Sequence, residues 1–210
     1  MDLILFGMQG AGKGTLAKGI ADRYDFEIFE TGSELRKLSN QDSPLGEKIR
    51  SILEAGNLVS NDIVMEIVTN FVENLPAGKK ILFDGIPRGV EQAQTLNALI
   101  ARHNRVALPI FIEISEETAL IRLTTRKICS DCKTVYPRNY TKTDCEKCGG
   151  KLTTRSDDTP EAIKKRLENF KESTIPAIEI YKDNILVIDG EPDIQTVENN
   201  AIEKLDRILK

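Results

Sequence analysis

Short apolar runs alternate along the chain with longer segments of helical period. Leu3-Ile4-Leu5-Phe6 has no polar interruption, which predicts a strand buried on both faces of a parallel sheet. Ile81-Leu82-Phe83-Asp84, Pro109–Ile114 and Ile185–Ile188 share this character, and Glu27-Ile28-Phe29-Glu30 is a further candidate strand. Between them the pattern predicts helices over about 13–24, 33–56, 61–74, 89–102, 116–127 and 193–209, with another opening at Thr159-Pro160-Glu161. Local punctuation agrees. Ser43-Pro44 breaks the second helix and Gly56 ends it; Ser60 or Asn61 caps the third and Pro76-Ala77-Gly78 stops it; Ser115-Glu116-Glu117 starts the fifth. Strands alternating with helices predict a doubly wound α/β fold, a parallel sheet of about five strands with helices on both faces.

Two stretches break the alternation. Residues 31–60 are helical and polar. Residues 128–156 carry cysteine, threonine, tyrosine and lysine but few large aliphatics, which predicts a small β-rich insertion stapled by a metal. The expected organisation is a core of residues 1–30, 61–127 and 159–210 with insertions at 31–60 and 128–158.

Composition narrows the function classes. The 210 residues include 29 Lys+Arg against 33 Asp+Glu, a net charge of −4, and 40% are apolar, so the chain can bury a full core and is not disordered. No run approaches the ~20 apolar residues of a membrane span. Met1-Asp2 leads straight into a strand-like run, so no signal peptide is expected and the expected location is cytoplasmic. A pI of 5.3 argues against nucleic acid or a membrane surface as a bulk electrostatic partner, so an anionic substrate must meet a local basic cluster. The only histidine, His103, lies among Arg102, Asn104 and Arg105 and gives no basis for a Ser-His-Asp triad.

Two motifs carry chemistry. The first strand runs into Gly7-Met8-Gln9-Gly10-Ala11-Gly12-Lys13-Gly14-Thr15. Glycines let backbone N–H groups converge on phosphate oxygens, and the helix that follows aims its positive end at the same place. Lys13 is placed to reach the β- and γ-phosphates, and Thr15 takes the Mg²⁺ role that the general pattern gives to the residue directly after the lysine. Asp84, at the end of another strand, supplies the acid expected near Mg²⁺, through water. No Asn-Lys-x-Asp guanine-reading motif is present. The second motif is Cys129, Cys132, Cys145 and Cys148, two C-x-x-C pairs separated by twelve residues. The spacing suits tetrahedral zinc; iron fits the same sulfur set, and free or oxidised thiols are the remaining reading. Four sulfur ligands leave no open position, so the metal is expected to be structural.

Over essentially its whole length the chain resembles the adenylate kinase family, in its long form with a zinc-bearing lid. Gly7–Thr15 resembles the family's Gly-x-Pro-Gly-Ala-Gly-Lys-Gly-Thr loop, with Gln9 in place of proline. Thr31, Gly32 and Arg36 match the family's Ser-Thr-Gly-Asp-Met-Leu-Arg segment that holds AMP, while Glu30 and Ser33 depart from it. Gly56-Asn57-Leu58-Val59 resembles the stretch whose backbone borders the AMP base, and Ser60-Asn61-Asp62 departs from the Pro-Asp-Glu that follows there. Asp84-Gly85-Ile86-Pro87-Arg88 is similar to the family's Asp-Gly-Phe-Pro-Arg, with Gln92 where the family reads adenine.

For ATP, the resemblance implies Gly10, Ala11, Gly12, Lys13, Gly14, Thr15, Arg122, Arg126, Val135, Tyr136 and Pro192. For AMP it implies Thr31, Gly32, Arg36, Asn57, Leu58, Val59, Gly85, Arg88, Gln92, Arg155 and Arg166. Lys13, Arg88, Arg126, Arg155 and Arg166 are the implied catalytic set. Any one arginine is more often a solvated surface charge; the weight lies in the set, since guanidinium groups suit a cleft that receives two nucleotides.

The resemblance implies a monomer that moves the γ-phosphoryl group of ATP, with Mg²⁺, to AMP, giving two ADP. In this reading 31–60 binds the acceptor and 128–158 is the lid. UMP, CMP or GMP as acceptor is the nearest alternative. A zinc-ribbon nucleic-acid-binding ATPase is a further one, weakened by the net charge and by an aromatic content of 5%.

Overall fold

The computed structural model describes residues 1–137, 140–155 and 157–209. Arg138, Asn139 and Ser156 of the predicted insertion, and Lys210 of the predicted core, lie outside the described residues. The elements in chain order are β1 (Asp2–Gly7), α1 (Lys13–Tyr24), β2 (Phe26–Glu30), α2 (Thr31–Ser39), α3 (Pro44–Glu54), α4 (Asn61–Glu73), β3 (Lys80–Asp84), α5 (Val90–Arg102), β4 (Ala107–Glu113) and α6 (Glu116–Thr125). Then come β5 (Lys127–Cys129), β6 (Val135–Tyr136), β7 (Leu152–Thr153), α7 (Pro160–Asn169), α8 (Ile175–Glu179), β8 (Leu186–Asp189) and α9 (Ile194–Leu209).

Five strands form one parallel sheet in the order β2-β3-β1-β4-β8. Alternation along β1 divides the core. Leu3 and Leu5 face a cluster with Leu16, Ile20 and Leu205, while Ile4 and Phe6 face one with Phe29, Phe83 and Leu96. All four β1 side chains are buried, as a central parallel strand requires. The register sets Glu30 beside Asp84, and Asp84 beside Leu5, so the carboxyl ends of β2, β3 and β1 come together. In open parallel sheets that edge is where ligands bind.

Several boundaries differ from expectation for identifiable reasons. The predicted helix over 33–56 starts two residues earlier and divides into α2 and α3, with the Ser43 hydroxyl accepting from Gly46 N to cap the second. The helix predicted to reach 127 stops at Thr125. Arg126 turns to φ −63°, ψ 134°, and Lys127 pairs with Tyr136 in a small antiparallel sheet of order β6-β5-β7. Arg126 therefore does not continue the helical face of Arg122. After α7 the helix widens into a π-helical turn over Phe170–Thr174, which nothing in the apolar pattern announces. No helix among the described residues is long and apolar enough to cross a membrane.

Candidate active site

The loop between β1 and α1 is built around backbone geometry that side chains resist. Gly10 and Gly12 both have φ +88°. A Cβ on Gly10 would lie 3.0 Å from the Ala119 carbonyl oxygen, so the loop packs directly on α6. Gly12 is the N-cap of α1 and brings no capping side chain, so the first-turn N–H groups face the cleft. The Lys13 ammonium lies back across the loop, donating to the carbonyls of Gly7 at 2.7 Å and Met8 at 3.2 Å. Burial pulls its pKa down to about 8, Asp84 opposes that fall, and Arg88 and Arg126 add to it. Burial likewise raises the Asp84 carboxyl, with Lys13 pulling the other way.

Above the loop is a cleft of about 1910 Å³. A single drug-sized ligand fills about 300–1,000 Å³, so the space admits two nucleotides. Lining it are Gly10, Ala11, Gly12, Lys13, Gly14, Thr15, Gly32, Arg36, Asn57, Asp84, Gly85, Arg88, Arg122, Arg126, Val135, Tyr136, Arg155, Arg166 and Pro192, all anticipated from the sequence. Four of the anticipated residues, Leu58 and Val59 among them for their backbone, do not line it. Val59 is buried in the core and Leu58 is half-buried, so that segment presents only Gly56 and Asn57. Gln92 is buried, its Oε1 accepting from the Arg88 N–H at 2.9 Å. Thr31 is buried with its hydroxyl unpartnered, close to Gly85.

The arginines are arranged by hydrogen bonds that were not legible beforehand. Arg88 is fixed at three points. Its N–H meets Gln92, its Nε donates to Gly85 O at 2.9 Å, and its carbonyl accepts from the Thr174 hydroxyl at 3.2 Å. Arg126 and Arg166 share Asp158, and Arg166 also grips Asp157. Burial opposes ionisation of Asp157, but Arg166, Arg155 and Arg36 together hold its carboxyl below the usual range. Among the described residues the buried Arg155 Nε has no such partner. Burial, with the repulsion of Arg126 and Arg36, takes its pKa down to about 10. A site that crowds guanidinium groups until they repel is organised for an anion of high charge. Arg122 donates to the carbonyls of Glu191 at 3.0 Å and Pro192 at 3.3 Å, holding the loop after β8 against α6.

Two sets of side chains have the chemistry to hold a metal ion. The four cysteine Sγ atoms all lie within 4.8 Å of one another, which fits a tetrahedral thiolate site. The buried Asp84 carboxylate has no side-chain hydrogen-bond partner among the described residues, and it faces Gly14 of the phosphate loop. With the exposed Thr15 hydroxyl it offers the hard oxygen donors that suit hydrated Mg²⁺.

The adenylate kinase family model matches residues 5–186. The chain belongs to the adenylate kinase family. It is 34% identical to the adenylate kinase of Clostridium tetani, over an alignment covering 100% of this chain and 98% of that protein. It is 37% identical to the adenylate kinases of Staphylococcus epidermidis and Staphylococcus aureus, covering 99% of this chain and 100% of theirs. Within the adenylate kinase pattern, the departures now separate by position. Ile86 is 1% exposed and belongs to the core, so replacing phenylalanine there is an exchange of packing. Gln9, Glu30 and Ser33 line the cleft, and the Gln9 Oε1 is buried without a partner. Glu30 was visible in the sequence only as a mismatch, and Thr174 gave no signal at all.

Proposed function

We propose that the chain is a Mg²⁺-dependent ATP:AMP phosphotransferase that forms two ADP. The observation that supports it most is the single cleft, large enough for two nucleotides, with the phosphate loop as its floor and Lys13, Arg36, Arg88, Arg126, Arg155 and Arg166 around it.

Phosphoryl transfer asks little covalent chemistry of a protein; it needs in-line placement and charge stabilisation. The α1 N-terminus and Lys13 hold the donor phosphates. Thr31, whose hydroxyl lacks a protein partner, and Arg36 hold the acceptor phosphate. Arg88 reaches the space between them and is held rigid by Gln92, Gly85 and Thr174. Asp84 and Thr15 hold Mg²⁺, which neutralises charge on the donor phosphates when bound. Residues 31–60 form the acceptor-binding insertion. Residues 128–158 form a lid carrying Val135 and Tyr136, with Arg126, Arg155 and Arg166 at its two roots. Closure of such a lid excludes water and limits hydrolysis of ATP. The four cysteines would hold zinc, which would stiffen the lid, and a reducing cytoplasm would keep those thiols available.

The test is the purified protein with ATP·Mg²⁺ and a panel of AMP, GMP, CMP and UMP, reading the diphosphates formed. AMP is expected to give the highest kcat/KM. A higher value for another monophosphate overturns the acceptor assignment, and no diphosphate from any of them overturns the reaction class.

A further inference from the structure

Glu30 ends β2 beside Asp84 and lines the cleft, yet the transfer reaction has no evident use for its charge. Its Oε1 accepts from Arg36 Nη2 at 2.9 Å. Arg36 reaches it by folding back over its own helix, and a Cβ on Gly32 would lie 3.0 Å from Nη1. The guanidinium thus lies over Gly32, and the buried hydroxyl of the preceding Thr31 has no hydrogen-bond partner among the described residues. In the family segment an acid stands at the position of Ser33; here Glu34 follows that position and pairs with Lys37, and the acid in direct contact with the arginine is Glu30.

A phosphate dianion arriving at Thr31 and Arg36 meets a carboxylate already paired with the arginine. Arg36 must leave Glu30 or share itself between two anions, and both weaken binding of the newcomer. We propose that Glu30 tunes the affinity of the acceptor site: its carboxylate competes with the acceptor's phosphate for Arg36 and so raises the KM for the nucleoside monophosphate. The inference rests on the acceptor site proposed above. The side chains of Arg36 and Glu30 are 34% and 41% exposed, so the pair adds little to folding and its removal leaves the fold standing.

The experiment compares wild type with Glu30→Gln, which keeps the shape and removes the charge. KM for AMP is expected to fall about fivefold, the factor that an interaction near 1 kcal/mol gives. KM for ATP changes far less, because the donor phosphates lie on the loop after β1. Calorimetric binding of AMP tightens while that of adenosine, which has no phosphate, does not change. A purely structural ion pair would not separate AMP from adenosine. An unchanged or higher KM for AMP in a variant with wild-type thermal stability overturns the proposal. Wild type that ignores AMP overturns the acceptor assignment instead, and the comparison is then made with the monophosphate it does use.

Discussion

Arg126 holds Asp158 through two nitrogens, with Nη2 2.6 Å from both carboxylate oxygens and Nε 3.0 Å from Oδ2. This pair joins the end of α6 to the start of α7, the two roots of the small sheet, and Arg166 shares the same carboxylate. Asp158 is only 4% exposed, so both guanidinium groups depend on a charge that water cannot replace. Asp158→Asn is expected to lower the unfolding free energy by about 3 kcal/mol. It should also reduce kcat, since Arg126 and Arg166 lose their shared anchor. Urea unfolding measures the first effect, and stability within error of wild type would refute the coupling.

Lys13 gives a pH prediction. Its folded pKa is about 8 against an ordinary 10.5, so the ligand-free protein binds fewer protons than the unfolded chain between those values. The stability contributed by this group is therefore lowest below pH 8 and rises with pH through that window. Activity runs the opposite way, because donor phosphates need the ammonium. kcat/KM for ATP, which reports the free enzyme, should fall above about pH 8. A profile flat to pH 9.5, or Lys13→Ala losing less than about 10²-fold in kcat, would remove Lys13 from the catalytic set.

Thr174 is expected to act through Arg88. Its hydroxyl is the hydrogen-bond donor to the Arg88 carbonyl from the π-helical turn, opposite the Gln92 contact to the Arg88 N–H. Thr174→Val removes that hold while keeping the volume, and displacement of a phosphate ligand by a fraction of an ångström should cost kcat between about 10- and 100-fold. Thr174→Ser should restore most of it. A kcat loss in the Ser variant with none in the Val variant would mean that the methyl group's packing, not the hydrogen bond, matters.

The strands and the phosphate loop were legible because each rests on local chemistry. A parallel strand buried on both faces must be uniformly apolar, as Leu3–Phe6 is, and a loop at φ +88° selects glycine. The cysteine cluster was legible for the same reason, since ligand spacing is local. The end of α6 was not. Arg126 leaves the helix to reach Asp158, 32 residues away, and no window of sequence contains that bond. Gln92 shows what a residue-by-residue match leaves out: its side-chain oxygen is turned onto the Arg88 backbone N–H, a contact the matched position does not announce. The π-helical turn that brings Thr174 to Arg88 has no propensity signature to read.

The last prediction concerns the metal. The apolar cluster around the small sheet is five residues, with Cys129, Tyr136 and Cys145 buried and Tyr140 and Leu152 packed against them. Two of those five are themselves metal-ligand candidates, and the Tyr136 hydroxyl lies 3.0 Å from Cys145 Sγ. So small a cluster cannot offset the entropy of ordering the segment, so metal binding must supply that folding free energy. Freshly purified protein should therefore carry one zinc per chain. Chelation should lower thermal stability and increase proteolytic cutting within 128–156. Because four thiolates fill a tetrahedral ion, no coordination position is left for substrate, and the chemistry should survive with a raised KM for ATP. Cys145→Ser, which alters a buried ligand, should lose metal more readily than Cys132→Ser, which alters an exposed one. Well under one zinc or iron per chain would refute the site. Complete and reversible loss of turnover on chelation, with circular dichroism unchanged, would show that the metal takes part in the reaction.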